Sequence, residues 1–373
     1  MRIAMLGTRG VPANYGGFET AVEEIGARLV KRGHQVTVYS RNPGQSLTEY
    51  RGMRVVNLPA IRHRFAETLS HTAVSSAHAV VRDKPDVAVV LNSGNAPLIG
   101  PLRLAGIPTL VHMDGLESRR EKWRGTGARY YRWAEEKAVK WANRVIADSR
   151  EIQRIIENEY VRCAEFIPYG AEVISPGSDR LAEMNLVRRD YHLVVARFEP
   201  ENHVLEVVQA YKISDETRPL MVVGSSPYSH WYSQKVKDAA EGDGRIRLQG
   251  GVYDQDLLNQ LYANCRTYVH GHSVGGTNPS LLRAMGAGTP VMAFDCVFNR
   301  EVLADQALWW STVNELAQHF DEVAASEIGD DMDEQLREFS RLSQERIAEH
   351  YSWDSVARAY ERVLAELVSE QRR

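Results

Sequence analysis

The chain has 373 residues, 43% hydrophobic and 25% charged, a globular balance with no low-complexity tract and length enough for two domains. No apolar run approaches a membrane span, no signal peptide is visible, and the three cysteines (Cys163, Cys265, Cys296) lack metal-ligand spacing, so a reducing cytoplasmic setting is expected. The net charge of −4 hides an asymmetry: residues 1–170 carry 25 Lys+Arg against 17 Asp+Glu, and the remainder 20 against 32, so the halves suit different partners.

In chain order, Ile3 to Leu6 is a buried-strand run. It leads into a loop with Gly7, Gly10, Gly16 and Gly17, then a helix from about Phe18 with Glu19, Glu23 and Glu24 in its first turns. The spacing is not G-x-G-x-x-G and no acidic residue closes the second strand, which argues against a nicotinamide dinucleotide site. The remaining pattern alternates. It predicts strands over 2–6, 35–40, 54–57, 87–91, 108–112 and 144–147, then 192–196, 219–223, 246–249, 267–270 and 290–294. Helices are predicted over 18–32, 129–142, 203–211, 229–240, 254–263 and 279–286 among others, and the end of the chain reads as an amphipathic helix. Such alternation implies α/β architecture with parallel sheets covered by helices. A polar stretch over 170–190 marks the break between two domains.

Residues 119–144 interleave Arg119, Arg120, Lys122, Arg124, Arg129, Arg132, Lys137, Lys140 and Arg144 with Trp123, Tyr130, Tyr131, Trp133 and Trp141. Two readings fit: a basic, aromatic helix resting on anionic lipid headgroups, or a solvated face with its aromatics in the core. Arg62, His63 and Arg64 add to the basic surface or are simply solvated. Nucleic acid is not expected as a partner, because no recognition module matches and the acidic half would repel it.

The richest segment is Val269–Asp295. A strand end is followed by Gly275, Gly276 and Thr277, then a helix with Pro279 in its first turn, where a missing N–H costs nothing. A glycine loop entering a helix collects free N–H groups at one spot, and a diphosphate suits it. The alternative is an ordinary strand–helix turn.

Together the two glycine loops resemble glycosyltransferase family 4, retaining enzymes of GT-B fold, and within it the bacterial rhamnosyltransferase-like branch that makes surface polysaccharides. The resemblance also takes in 111–123, 147–152, 166–172, 195–203 and 298–302. It implies two Rossmann-like domains facing across a cleft. The acceptor-side domain would be 1–170, completed by a C-terminal helix over 352–373, and the nucleotide-sugar domain 171–351. It implies a metal- and cofactor-free transfer of a hexose or 6-deoxyhexose, rhamnose included, with a nucleotide-diphosphate sugar as donor. The acceptor would be a glycan or lipid-pyrophosphate, met by a peripheral protein on the inner face of the plasma membrane.

The resemblance also assigns residues. Arg197, after the strand HLVVA, would grip the donor phosphates; a Lys often found about five positions later is replaced here by Glu201-Asn202-His203. A guanidinium fork suits phosphate oxygens. His112 would lie close to the donor sugar hydroxyls, and Asp114 would orient a hydroxyl or cap a turn. The branch more often carries Asn at position 112, and a His there could bind a 6-hydroxyl. The donor site would further include Gly16, Gly17, Asn202, His272, Gly275, Gly276, Thr277, Asn278 and Arg283, and the acceptor site Glu19, Asn92, Ser93 and Asn95. Arg283 is the sharpest departure, because the family keeps there a Glu that holds the ribose hydroxyls. Arg donates but cannot accept. Arg283 then binds extra phosphate on an altered donor, or pairs with a local carboxylate, or marks a non-catalytic relative with a binding or regulatory role. A sugar phosphorylase or epimerase lacks its signatures here.

Overall fold

A computed structural model of the protein describes residues 1–373 apart from 14–15, 42–46, 62, 64–65, 120–124 and 225–229. The basic residues Arg62, Arg64, Arg120, Lys122 and Arg124, with Trp123, lie outside the described residues. The chain divides into two compact units, Met1–Tyr169 with Trp353–Arg373, and Gly170–Ser352.

The first unit is built on eight strands: β1 (Arg2–Leu6), β2 (Gln35–Ser40), β3 (Glu49–Tyr50), β4 (Met53–Asn57), β5 (Val87–Leu91), β6 (Thr109–Met113), β7 (Arg144–Ala147) and β8 (Glu165–Phe166). Their order is β3-β4-β2-β1-β5-β6-β7-β8, and every pairing except β3–β4 is parallel. All five residues of β5 and of β6 are buried, as strands covered on both faces must be. The helices are α1 (Gly17–Lys31), α2 (Glu67–His78), α3 (Gly100–Leu104), α4 (Thr126–Trp141) and α5 (Arg150–Tyr160).

The second unit carries six parallel strands, β9 (His192–Val195), β10 (Leu220–Val223), β11 (Ile246–Gly250), β12 (Thr267–His270), β13 (Val291–Phe294) and β14 (Leu308–Trp310), in the order β11-β10-β9-β12-β13-β14. Its helices are α6 (Val204–Ile213), α7 (His230–Ala240), α8 (Gln255–Asn264), α9 (Pro279–Gly286), α10 (Val297–Leu303), α11 (Val313–Ala325) and α12 (Asp331–His350). Val194, Val208, Tyr211, Leu220, Met292, Trp310 and Phe320 belong to one buried cluster that joins the sheet to α6 and α11. Helix α13 (Trp353–Gln371) packs with the first unit, where Val356, Tyr360, Val363, Leu364 and Leu367 are buried at helical spacing.

Three strands go beyond the sequence expectation. β3 and β8 have two residues each and β14 three, too short to show alternation. In both sheets the order reverses beside the first strand of the unit, between β1 and β5 and between β9 and β12. Open α/β sheets bind ligands outside the carboxyl ends of their strands at such switch points.

Candidate active site

At the first switch point the loops after β1 and β5 are held by one amide. Asn95, fully buried, donates through Nδ2 to the carbonyls of Gly7 (3.1 Å) and Leu91 (2.8 Å), while its Oδ1 accepts from Thr72 (2.9 Å). Position 7 must be glycine: φ is +98°, and a Cβ would lie 2.4 Å from the Leu91 oxygen. Asn92 accepts from the Gly94 N–H (2.8 Å), and Glu19 accepts from the Arg9 N–H (3.0 Å). Ser93 is buried and Gly16 exposed ahead of α1. Asp114 is half-buried just past β6. The expectation that Asn95 meets an acceptor is corrected: both of its amide hydrogens are committed inside the unit.

His112 sits near the end of β6, 1% exposed. Its Nδ1 lies 2.6 Å from the Tyr360 hydroxyl of α13, while its Nε2 has no partner among the described residues. Phe18 meets the ring edge-on at 5.4 Å between centroids, and Tyr169 lies at the same separation. Burial pushes the imidazole down to about 3, so it is neutral at physiological pH. Burial, with the charges of Asp114 and Asp148 behind it, raises the Tyr169 phenol well above its ordinary range. The Tyr169 hydroxyl is likewise buried without a partner among the described residues. The sequence reading missed Phe18, Tyr169 and Tyr360 as parts of one cluster. Only the place of Tyr360 on the apolar stripe of the last helix hinted at burial.

At the second switch point the loops after β9 and β12 are tied by a relay. His272 Nδ1 donates to Asn202 Oδ1 (2.6 Å), and Asn202 Nδ2 donates to the Arg197 carbonyl (2.7 Å). Ser273 donates its N–H to the Glu201 carbonyl (2.9 Å), and His203 donates from Nδ1 to the Gly271 carbonyl (2.7 Å). A Cβ on Gly271 would lie 2.3 Å from the Asn202 oxygen, so the two loops meet backbone to backbone. The relay fixes the main chain that carries Arg197. The guanidinium itself is exposed and has no partner among the described residues. Glu201, unnoticed as a site residue from sequence, is 7% exposed with a buried Oε2 that has no partner among the described residues.

Gly275 (φ +117°), Gly276 and Thr277 are buried and lead to α9, with Pro279 in its first turn. Asn278 caps that helix by accepting from the Ser280 N–H (2.9 Å). Pro279 has no N–H and that of Ser280 is taken, so an anion here meets loop N–H groups more than helix ones. Asn202 and Asn278, expected to touch the donor, also hold backbone. Arg283 is tied to α8. Its guanidinium donates to Asn259 Oδ1 from Nε (2.8 Å) and Nη2 (2.6 Å), to Gln255 Oε1 from Nη1 (2.9 Å) and to the Gln255 carbonyl from Nη2 (2.9 Å). These partners are amide oxygens of α8; among the described residues no carboxylate pairs with it.

On helix α4 Glu135 turns inward, while Glu136 pairs with Lys140 (2.5 Å). Glu135 is buried, takes the N–H (2.9 Å) and hydroxyl (2.7 Å) of Ser118, and is raised by burial. Arg129, Arg132 and Lys140 stay exposed beside Trp133, which is 43% exposed. Lys137 lies over the rings of Trp141 (5.3 Å) and Trp133 (5.8 Å). Tyr130 turns inward and donates to the Gly94 carbonyl (2.8 Å). Among the described residues no helix is long and apolar enough to cross a membrane, and no group of three or more His, Cys, Asp or Glu is placed to hold a metal ion.

Residues 16–170 match the glycosyl transferase 4-like domain, and residues 189–326 match the glycosyl transferases group 1 family. O-antigen chain mannosyltransferase B of Escherichia coli is 26% identical over 206 residues, 54% of this chain and 52% of that protein. The match therefore spans about half the length of that relative. Sucrose-phosphate synthase of Thermosynechococcus elongatus superposes with a TM-score of 0.83 at 19% identity over 99% of both chains. Anabaena HepE in complex with UDP-glucose gives 0.77 at 16% identity over 99% of this chain and 100% of that one. The chain thus has the GT-B fold of two Rossmann-like α/β domains. It is related to the family 4 and group 1 glycosyltransferases.

Proposed function

We propose that the protein is a retaining glycosyltransferase that moves a hexose or 6-deoxyhexose from a nucleotide-diphosphate sugar to a surface glycan or lipid-linked acceptor. The observation that carries this reading is the second switch point. Arg197, exposed and without a partner among the described residues, follows β9 on backbone braced by His272 and Asn202, and the Gly275–Thr277 loop follows the neighbouring β12. Cation and N–H groups together suit a diphosphate whose charge grows as it leaves.

In the reaction, the bond from the anomeric carbon to the diphosphate oxygen breaks and a bond to the acceptor oxygen forms on the same face. The acceptor's proton passes to the departing phosphate oxygen. No side-chain nucleophile is required, and the leaving nucleoside diphosphate is stabilised by Arg197 and the loop, without a metal. His112, neutral and buried, takes a donor-sugar oxygen as partner. The mannosyltransferase likeness and the HepE complex with UDP-glucose support a hexose donor; the rhamnosyltransferase-like branch rests on the loop motifs alone.

The outer face of α4, with Arg129, Arg132, Lys140 and Trp133, suits an anionic membrane surface on the cytoplasmic side, where a lipid-pyrophosphate acceptor would be met. Incubation with nucleotide sugars and lipid-linked acceptor, followed by product analysis of anomeric configuration, tests the reading. Retained configuration in a transferred sugar supports it, and hydrolysis alone or no turnover defeats it. The non-catalytic reading rests on Arg283, which is held by Gln255 and Asn259 of α8 where the family keeps a Glu. Gain of donor binding in Arg283→Glu from a wild type that binds none would favour it.

A further inference from the structure

We propose that Tyr360, on the C-terminal helix, is a positioning residue that holds His112 as the Nε2–H tautomer, so that His112 meets the sugar as a hydrogen-bond donor. The inference deepens the transferase reading and rests on it for the identity of the ligand. The tautomer itself follows from counting buried polar atoms.

Tyr360 is 1% exposed, and its hydroxyl has one hydrogen-bond partner among the described residues, His112 Nδ1 at 2.6 Å. The neutral imidazole carries one hydrogen. Suppose it sat on Nδ1. That nitrogen would donate to the phenol oxygen, and the phenolic hydrogen would be buried with no acceptor. The lone pair of Nε2 would be orphaned as well. With the hydrogen on Nε2, Tyr360 donates to Nδ1 and only Nε2–H is left unpaired. One orphan is better than two, because a buried polar group without a partner keeps its full desolvation cost.

The remaining orphan is informative. Nε2 is buried, yet it belongs to the aromatic cluster of Phe18, Tyr169 and Tyr360, where the Tyr169 hydroxyl also lacks a partner among the described residues. Two buried polar atoms in one cluster await an oxygen-bearing ligand. An Nε2–H recognises a hydroxyl or ring oxygen by its lone pair. It does not remove a proton, and burial, which keeps the ring neutral, agrees. Tyr360 is 248 residues from His112 in the chain, so the last helix sets the chemistry of a residue near the end of β6.

Ring-15N-labelled histidine in the full chain tests this by NMR, with His112 assigned from the signal lost in His112→Gln. The expected result is a proton on Nε2 in the wild type and a shift towards the Nδ1–H form in Tyr360→Phe. A proton on Nδ1 in the wild type overturns the proposal without any variant, as does an unchanged His112 signature in Tyr360→Phe. In transfer assays Tyr360→Phe should lower kcat/KM for the donor about tenfold, or about 1.4 kcal/mol. It should add nothing in the His112→Gln background. Additive losses overturn the proposal. A wild type that transfers no sugar defeats the transferase reading, while the NMR result still decides the tautomer.

Discussion

The two switch points close their loops by different means. In the first unit a single buried amide, Asn95, spends both hydrogens on the carbonyls of Gly7 and Leu91, and the end of β6 holds a neutral imidazole among aromatic rings. In the second a relay through His272 and Asn202 braces the backbone of Arg197 and leaves the guanidinium exposed. The same topology thus presents a buried imidazole at one edge and, at the other, a cation that is exposed and unpaired among the described residues. In the transferase proposal the first edge reads a sugar or acceptor hydroxyl and the second holds a diphosphate. Fold alone does not allot these roles; the side chains at the strand ends do.

The difference can be broken most directly at the cation. Arg197→Ala should lower kcat/KM by about 10²–10³, the usual loss when one donor to a developing anion is removed. The melting temperature should stay put, since the side chain is exposed and has no polar partner among the described residues. Steady-state kinetics beside a thermal melt checks both halves.

Asn95→Ala should act in reverse. It leaves buried carbonyls unpaired and should cost about 2–3 kcal/mol of stability, read from urea unfolding, whatever becomes of transfer.

The buried histidines sharpen the comparison through pH. Burial lowers His71 to about 4 and His112 to about 3 in the first unit, and His270 to about 3 in the second. Each folded-state value lies below that of the unfolded chain, near 6.5. The unfolded chain therefore takes up protons first, and stability falls as pH drops from about 6.5 towards these values. Each group should contribute a slope of about 1.4 kcal/mol per pH unit in that window. His112→Gln should remove one share, seen as a shallower drop of urea midpoints between pH 6.5 and 4.5.

The smallest effect is expected at the relay. Asn202→Ala loosens the backbone under Arg197 and should weaken nucleoside-diphosphate binding about tenfold, or about 1.4 kcal/mol. Stability should fall by about 1 kcal/mol, less than for Asn95→Ala, because Asn202 and His272 are 7% and 8% exposed and water can reach the groups left behind. Calorimetric titration of wild type and variant checks it. An Asn202→Ala loss in stability as large as that of Asn95→Ala would erase the contrast between the two edges.

Much of this was legible in the amino-acid sequence, because buried parallel strands read as continuous apolar runs. VAVVL and HLVV announced β5 and β9, and Pro279 announced the start of α9. Glycine spacing pointed to both loops. The partners of polar side chains were not legible. Arg283 meets Gln255 and Asn259 through the packing of α8 on α9, which no local pattern encodes. Tyr360 looked like one more apolar-face aromatic until the fold placed its hydroxyl on His112. Asparagines in loops read equally well as ligands or as clamps, and Asn95, Asn202 and Asn278 proved to hold backbone.

The central claim is that the edge bearing Arg197 is a nucleotide-diphosphate sugar site. Calorimetry of the wild type, Arg197→Ala and Arg283→Glu with UDP-, dTDP-, GDP- and CDP-sugars tests it most directly. The account predicts that one donor binds the wild type and that Arg197→Ala loses it. No binding of any donor to the wild type, or equal binding to Arg197→Ala, would contradict it.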